Sequence, residues 1–182
     1  MRAELEVVRL DTDLAALIPL HVEYMSWIVS EVERTLGIAL VDQNPASIEA
    51  YVASGLDKIC GHGAPQGRFY VVRVDGHVAG MGGLRPLEAG VGELKRIYVR
   101  PAYRRLGLGS MLVERLLDDA RTLGYRSVRL DSAPFQRPAQ RLYEALGFRD
   151  RTPYAGTEVP ASLHGAWRFM EASLPTQGMP GD

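Results

Sequence analysis

The stretch V99-R-P-A-Y-R-R-L-G-L-G-S110 decides how the rest of the chain is read. It follows a run with strand character, E93-L-K-R-I-Y-V-R100, and leads into a run with helical character, with glycines at 107 and 109. Pro101 ends the strand because proline cannot donate to a ladder. Glycine has no Cβ, so the backbone at Gly107 and Gly109 can take positive φ and approach a ligand closely. The first amides of a helix have no internal partner, and together with the positive end of the helix dipole they form an anion site. Arg104 and Arg105 add guanidinium charge beside those amides. A purely structural turn would gain nothing from arginines set against the positive end of a helix. The glycine pair alone is a weak signal: no G-K-[ST] follows, as in a Walker loop, and the dinucleotide pattern G-x-G-x-x-G is missing.

Working outward, residues 107–123 form an amphipathic pattern. Leu108, Met111, Leu112, Leu116, Ala120 and Leu123 recur at helical steps, and Gly124 follows as a C-terminal stop. Strand patterns fall at 127–131 and 166–171, with a short helix at 138–146 ended by Gly147. Upstream, F-Y-V-V-R-V at 69–74 and H-V-A-G-M-G-G-L at 77–84 flank Asp75-Gly76, a strong hairpin signal. A first strand is expected at 4–10. A helix capped at Asp11–Asp13 should then run to Leu36, bent or split at Pro19, and a second helix should start at Asn44-Pro45. The segment 61–67 reads as loop. The order predicts an α/β fold with a mixed, mainly antiparallel sheet flanked by helices on both faces.

Composition narrows the class. The chain has 182 residues, 46% hydrophobic and 24% charged, and a net charge of −1. That suits one globular domain over 1–174 with a flexible tail at 175–182, and gives no general attraction to nucleic acid. No apolar run approaches the ~20 residues of a membrane span, and no signal-peptide core is expected, so the reading is cytoplasmic. A lone cysteine, Cys60, excludes an internal disulfide. Four histidines without ligand spacing give no metal site. His21, Tyr24, Trp27 and Ile28 recur at helical spacing and read as a core-facing stripe, or else as the wall of a substrate pocket.

The R-R-L-G-L-G at 104–109 resembles the R/Q-x-x-G-x-G/A signature of the GNAT superfamily of N-acetyltransferases. E-L-K-R-I-Y-V-R-P (93–101) looks like that family's fourth strand, and L-Y-E-A-L-G-F (142–148) like its late helix and glycine-phenylalanine turn. The resemblance is strong over 69–150 and thin over 11–65. It implies a sheet splayed open at the cofactor site and transfer of acetyl from acetyl-CoA to a primary amine, without a metal, in a ternary complex. Backbone amides of Leu106, Gly107, Leu108, Gly109 and Ser110, with Arg104 and Arg105 alongside, would hold the pyrophosphate. Ile97, Tyr98 and Val99 would pair by backbone with the pantetheine arm, and an amide near Tyr98 would serve as oxyanion donor. Tyr143 falls where the departing thiolate is protonated, and also at the cofactor; Glu93 falls where a carboxylate takes the amine's proton. The other reading of Glu93 is a strand-entry residue facing solvent. Gln136 stands where the family often has Asn at the cofactor. The resemblance leaves a homodimer open and does not name the amine. The competing reading is a non-catalytic CoA-binding module, which would lack the acid and base; a nucleotide-phosphate enzyme lacks a Lys-Ser/Thr after the glycines.

Overall fold

The computed structural model describes residues 1–39, 45–60 and 66–175. Among these residues, seven strands form one sheet: β1 (Ala3–Val7), β2 (Arg68–Val74), β3 (His77–Glu88), β4 (Val91–Val99), β5 (Ser127–Ser132), β6 (Arg149–Arg151) and β7 (Arg168–Ser173). Their order is β1-β2-β3-β4-β5-β7-β6. Every pairing is antiparallel except β4 with β5. Helices α1 (Leu10–Leu36) and α2 (Pro45–Cys60) pack on one face. Helices α3 (Leu108–Thr122) and α4 (Arg137–Ala145) cover the other.

Strand β2 shows why both faces must be covered. Phe69 and Val71 join the α1/α2 layer, while Tyr70, Val72 and Val74 join the α3 layer. Alternation across the pleat therefore yields a nearly continuous apolar run. On α3, Leu108, Leu112, Val113, Leu116, Leu117 and Ala120 are buried. Burying each leucine contributes about 1.5–3 kcal/mol, which fixes this helix, and the turn before it, against the sheet.

The β2–β3 hairpin turns at Asp75 (φ 47°) and Gly76 (φ 83°), the two positive dihedrals of a type I′ turn. Strand β3 runs to Glu88, four residues past its expected end, and returns through Ala89 and Gly90. Helix α1 is not split at Pro19: the ring lies on its exposed side while Leu17, Leu20, Ile28, Val29 and Val32 anchor the helix to the core. Its start precedes the expected cap, and the Asp13 carboxylate accepts the Arg9 backbone N–H at 2.6 Å. The expected cap Asn44, most of the loop at 61–67 and the tail from 176 lie outside the described residues. No helix among the described residues is long and apolar enough to cross a membrane.

Candidate active site

The sheet opens between β4 and β5. The two pair only at Val91–Ser127, Gly92–Val128 and Glu93–Arg129, after which β5 continues in register with β7 alone. The opening coincides with a bulge in β4. Between the pairs Met81–Tyr98 and Gly83–Lys95, β4 has one more residue than β3, and Arg96 within it takes φ 58°. A non-glycine residue in that region costs on the order of 1–3 kcal/mol and is held there by its surroundings. Bulges bend a strand and re-aim a side chain. A small cavity of about 50 Å³ occupies the opening, between Leu94–Ile97 of β4 and Leu130–Asp131 of β5, with Tyr24, Gln136 and Tyr143 completing it.

The glycine-rich turn lies at the far end of β4. Arg105 (φ 64°) and Gly107 (φ 76°) are both left-handed. The first intrahelical bond of α3 runs from the Met111 N–H to the Gly107 carbonyl at 3.1 Å, so the amides of Leu108, Gly109 and Ser110 precede the ladder. A Cβ at Gly107 would meet no described atom within 4 Å, and one at Gly109 would only touch Leu142 at 3.6 Å. The protein's own packing therefore requires glycine at 107 for its dihedral and at 109 not at all. The Leu142 contact sets this turn beside α4, the helix of Tyr143. Arg104 folds back: its Nε donates to the Val99 carbonyl at 3.1 Å, and its guanidinium lies 5.5 Å from the Trp27 ring. Arg105 and Leu106 are exposed, and the Ser110 hydroxyl donates to Glu114 at 2.7 Å.

The Arg100 N–H donates to the Ala79 carbonyl on β3, so by alternation Tyr98 also turns its peptide groups toward β3 and Val99 turns away. The Tyr98 side chain points into the α1 layer, where the hydroxyl donates to Glu23 at 2.9 Å, and burial with that carboxylate pushes the phenol up to about 12.

Tyr143 is buried, packs on Phe148 at 5.8 Å and lines the opening. Burial, and then the nearby Tyr24 and Asp131, raise its hydroxyl far above the ordinary phenol value. Gln136 stands at the start of α4, but its side chain turns back: its Oε1 accepts from the Ala133 N–H at 2.9 Å and the Ser132 hydroxyl at 3.2 Å.

Glu93 does not face solvent, since its exposure is 0%. Its Oε2 accepts from Arg85 Nε at 2.6 Å, its Oε1 from the Tyr154 hydroxyl at 2.8 Å, and Lys95 Nζ lies 3.6 Å away. Lys95 also reaches Asp131 at 3.1 Å and Glu158 at 3.5 Å. Although burial disfavours the Lys95 charge, Asp131, Glu93 and Glu158 outweigh it and hold the ammonium above its ordinary value. For Glu158, burial is likewise outweighed by Lys95, Arg96 and Arg85, which keep it below the usual carboxylate range. Asp131, unlike Glu93, lines the opening itself.

Two further cavities adjoin, of about 270 and 540 Å³, with Arg96, Glu158, Met25 and Tyr51 common to both. Tyr24 and Ile28 line the first and His21 the second, so three members of the α1 stripe are wall as well as core. Trp27 instead packs among Tyr24, Tyr98 and Phe135. Residues 154–167 supply the opposite wall through Glu158, Val159, Pro160, Leu163 and Trp167.

Comparison with known proteins agrees with this architecture. The chain matches the Acetyltransferase (GNAT) family over residues 39–148. It is 33% identical over 149 residues to an uncharacterized N-acetyltransferase of Schizosaccharomyces pombe, covering 80% of this chain and 87% of that one. An IAA acetyltransferase of Azospirillum brasilense is 38% identical over 113 residues, 60% of this chain and 70% of that protein. Among solved structures, a GNAT-family acetyltransferase from Staphylococcus aureus superposes with a TM-score of 0.68 at 17% identity, covering 96% of this chain and all (100%) of the other. The PaiA N-acetyltransferase of Thermoplasma acidophilum, solved in complex with coenzyme A, gives 0.64 at 17% identity, with 96% and 100% coverage. The chain belongs to the GNAT acetyltransferase family and is an acyl-CoA-dependent acetyltransferase.

Proposed function

We propose that this enzyme transfers the acetyl group of acetyl-CoA directly to a primary amine, with Asp131 as proton acceptor and Tyr143 as proton donor. The observation that carries the reading is that Ile97, Asp131 and Tyr143, from three different elements, line one cavity in an opened sheet. The amides of Leu108, Gly109 and Ser110, preceding the α3 ladder, fit a pyrophosphate, with Arg105 free to swing alongside. Arg104 would add its charge on releasing Val99, whose peptide groups face the opening and suit the pantetheine amides. The cosubstrate supplies an activated thioester, and the chain supplies positioning and proton transfer.

An alkylammonium must lose a proton before its nitrogen can attack. Asp131 takes that proton, with Lys95 fixing its carboxylate. The C–N bond forms as the C–S bond breaks, the Ile97 amide steadies the carbonyl oxygen, Tyr143 protonates the departing sulfur, and the second proton, shed by the nitrogen as it becomes an amide, restores the Tyr143 hydroxyl. The products are an N-acetyl amide and free thiol. Glu93, whose two oxygens are held by Arg85 and Tyr154, positions Lys95 rather than accepting the proton. The test is thiol release from acetyl-CoA with an amine panel. Asp131→Asn is expected to lower kcat about 10²- to 10⁴-fold, and unchanged turnover would remove Asp131 from this role.

A further inference from the structure

Arg96 combines three properties that packing alone does not explain. Its backbone is left-handed at the bulge, its side chain is only 11% exposed, and its Nε has no hydrogen-bond partner among the described residues. A guanidinium carries five N–H donors. Here one terminal nitrogen meets the Met25 thioether at 3.3 Å, a weak acceptor, and the other meets Glu158 at a long 3.4 Å. Tyr51 lines the same two larger cavities, and the Tyr24 ring centre lies 5.8 Å from the guanidinium carbon. A buried donor without a partner costs roughly 1–3 kcal/mol, so such groups are rare unless something else satisfies them.

Arg96 also lines all three cavities of the site. In the largest of the three it is joined by His21, the other residue with an unpartnered buried side-chain atom among the described residues. His21 is 1% exposed, and its Nδ1 lies 3.0 Å from the Leu17 carbonyl. The ring therefore donates from Nδ1 and leaves Nε2 as an empty acceptor. One cavity thus offers an unspent cationic donor and an unspent neutral acceptor.

Charge narrows the occupant. Around the site Arg85, Lys95 and Arg96 face Glu93, Asp131 and Glu158, three cations against three carboxylates. A polyamine would bring excess positive charge to a neutral cluster and leave Arg96 Nε unmet. An amine bearing a carboxylate meets Arg96 with its oxyanion while its nitrogen faces Asp131 in the same cavity of about 270 Å³. Ile28, Val29, Leu163 and Trp167 in that wall suit an apolar side chain.

Building on the transferase reading above, we propose that the acceptor is a small amino carboxylate with an apolar side chain, its carboxylate anchored by Arg96. The experiment compares kcat/KM for L-methionine and L-phenylalanine with their decarboxylated counterparts, 3-(methylthio)propylamine and phenethylamine, and with spermidine. Acetyl-CoA binding is measured in parallel by calorimetry. The carboxylated amines are expected to lead their partners by on the order of 10- to 100-fold, the worth of a charge-assisted hydrogen-bonded pair. Arg96→Gln should bring the ratio within about threefold of unity, and Arg96→Lys should restore part of it, with acetyl-CoA affinity retained in both. The wild-type comparison stands even where a variant folds poorly. A lead by spermidine or the decarboxylated amines overturns the proposal, as does a carboxylate preference that survives Arg96→Gln. So does failure of every carboxylated amine in an enzyme that binds acetyl-CoA. Absence of acetyl-CoA binding overturns the transferase reading itself.

Discussion

Replacing Glu93 with glutamine separates a positioning role from a catalytic one. The substitution keeps the side chain's shape and removes a carboxylate that is wholly buried, with Arg85 Nε at 2.6 Å and the Tyr154 hydroxyl at 2.8 Å. Arg85 and Lys95 stay charged in a site where their side chains are only 9% and 8% exposed. Removing one partner of a buried pair costs about 3–5 kcal/mol. Glu158 at 3.4 Å from Arg85 and Asp131 at 3.1 Å from Lys95 take up part of the freed charge, so the lower end, about 3 kcal/mol, applies. For a chain of this length each kcal/mol lowers Tm by roughly 2–4 °C, which gives a drop of roughly 6–12 °C by calorimetry at pH 7.5. Well below that melting point, kcat should fall less than about tenfold, because the proton goes to Asp131. A Tm within 2 °C of wild type would refute the structural argument. A folded Glu93→Gln enzyme that loses more than about 100-fold in kcat would return the base to Glu93.

Four other outcomes follow from the same structure. The double variant Gly107→Glu, Gly109→Glu should abolish acetyl-CoA binding by calorimetry, since it sets two carboxylates at the α3 amides; retained affinity would move the pyrophosphate elsewhere. Tyr143→Phe should lower kcat by on the order of 10²-fold while changing acetyl-CoA affinity less than about threefold. Because burial raises the Tyr143 hydroxyl, the wild-type rate profile should show no loss from this group up to pH 10. His21 is held down to about 4 by burial, against 6.5 for the unfolded ring, so the unfolded chain takes up its proton first as pH falls. Stability from this group is complete above pH 6.5 and lost between 6.5 and 4, about 3 kcal/mol in all, judged from about 1.4 kcal/mol per pH unit. Urea melts of wild type and His21→Gln across that window should diverge in this direction, and parallel curves would contradict it.

Features encoded locally are legible in the sequence. The Asp75-Gly76 turn, the Gly107 entry to α3 and the alternation of 69–74 each depend on neighbours in sequence. Strand β6 was missed because R149-D-R151 has no apolar residue; it lies at the sheet's margin, where charged residues belong. Asp131 stood in an expected strand, yet its nearness to Lys95 follows from how β4 and β5 part after Glu93, which no local pattern encodes. Glu158 and Tyr154 lie in a segment of irregular backbone, and only the ion pairs of the first and the hydrogen bond of the second to Glu93 reveal their part. Which peptide groups of β4 face the opening depends on the extra residue at the bulge, which the sequence pattern does not reveal. Helical spacing offers core or wall as alternatives for the α1 stripe, whereas His21, Tyr24 and Ile28 serve as both.

That extra residue also exchanges parity along β4. Before it, the odd-numbered Glu93 and Lys95 point to the polar cluster while Leu94 enters the α3 layer. After it, the odd-numbered Ile97 and Val99 pack toward the α3 layer and the even-numbered Tyr98 faces α1. A strand shortened by one residue would have to drive two charges into an apolar layer or turn Ile97 and Val99 out of it. The gap in the sheet is therefore held open by the sorting of side chains on either side of Arg96, and the strand cannot zip shut without misplacing half of its own residues.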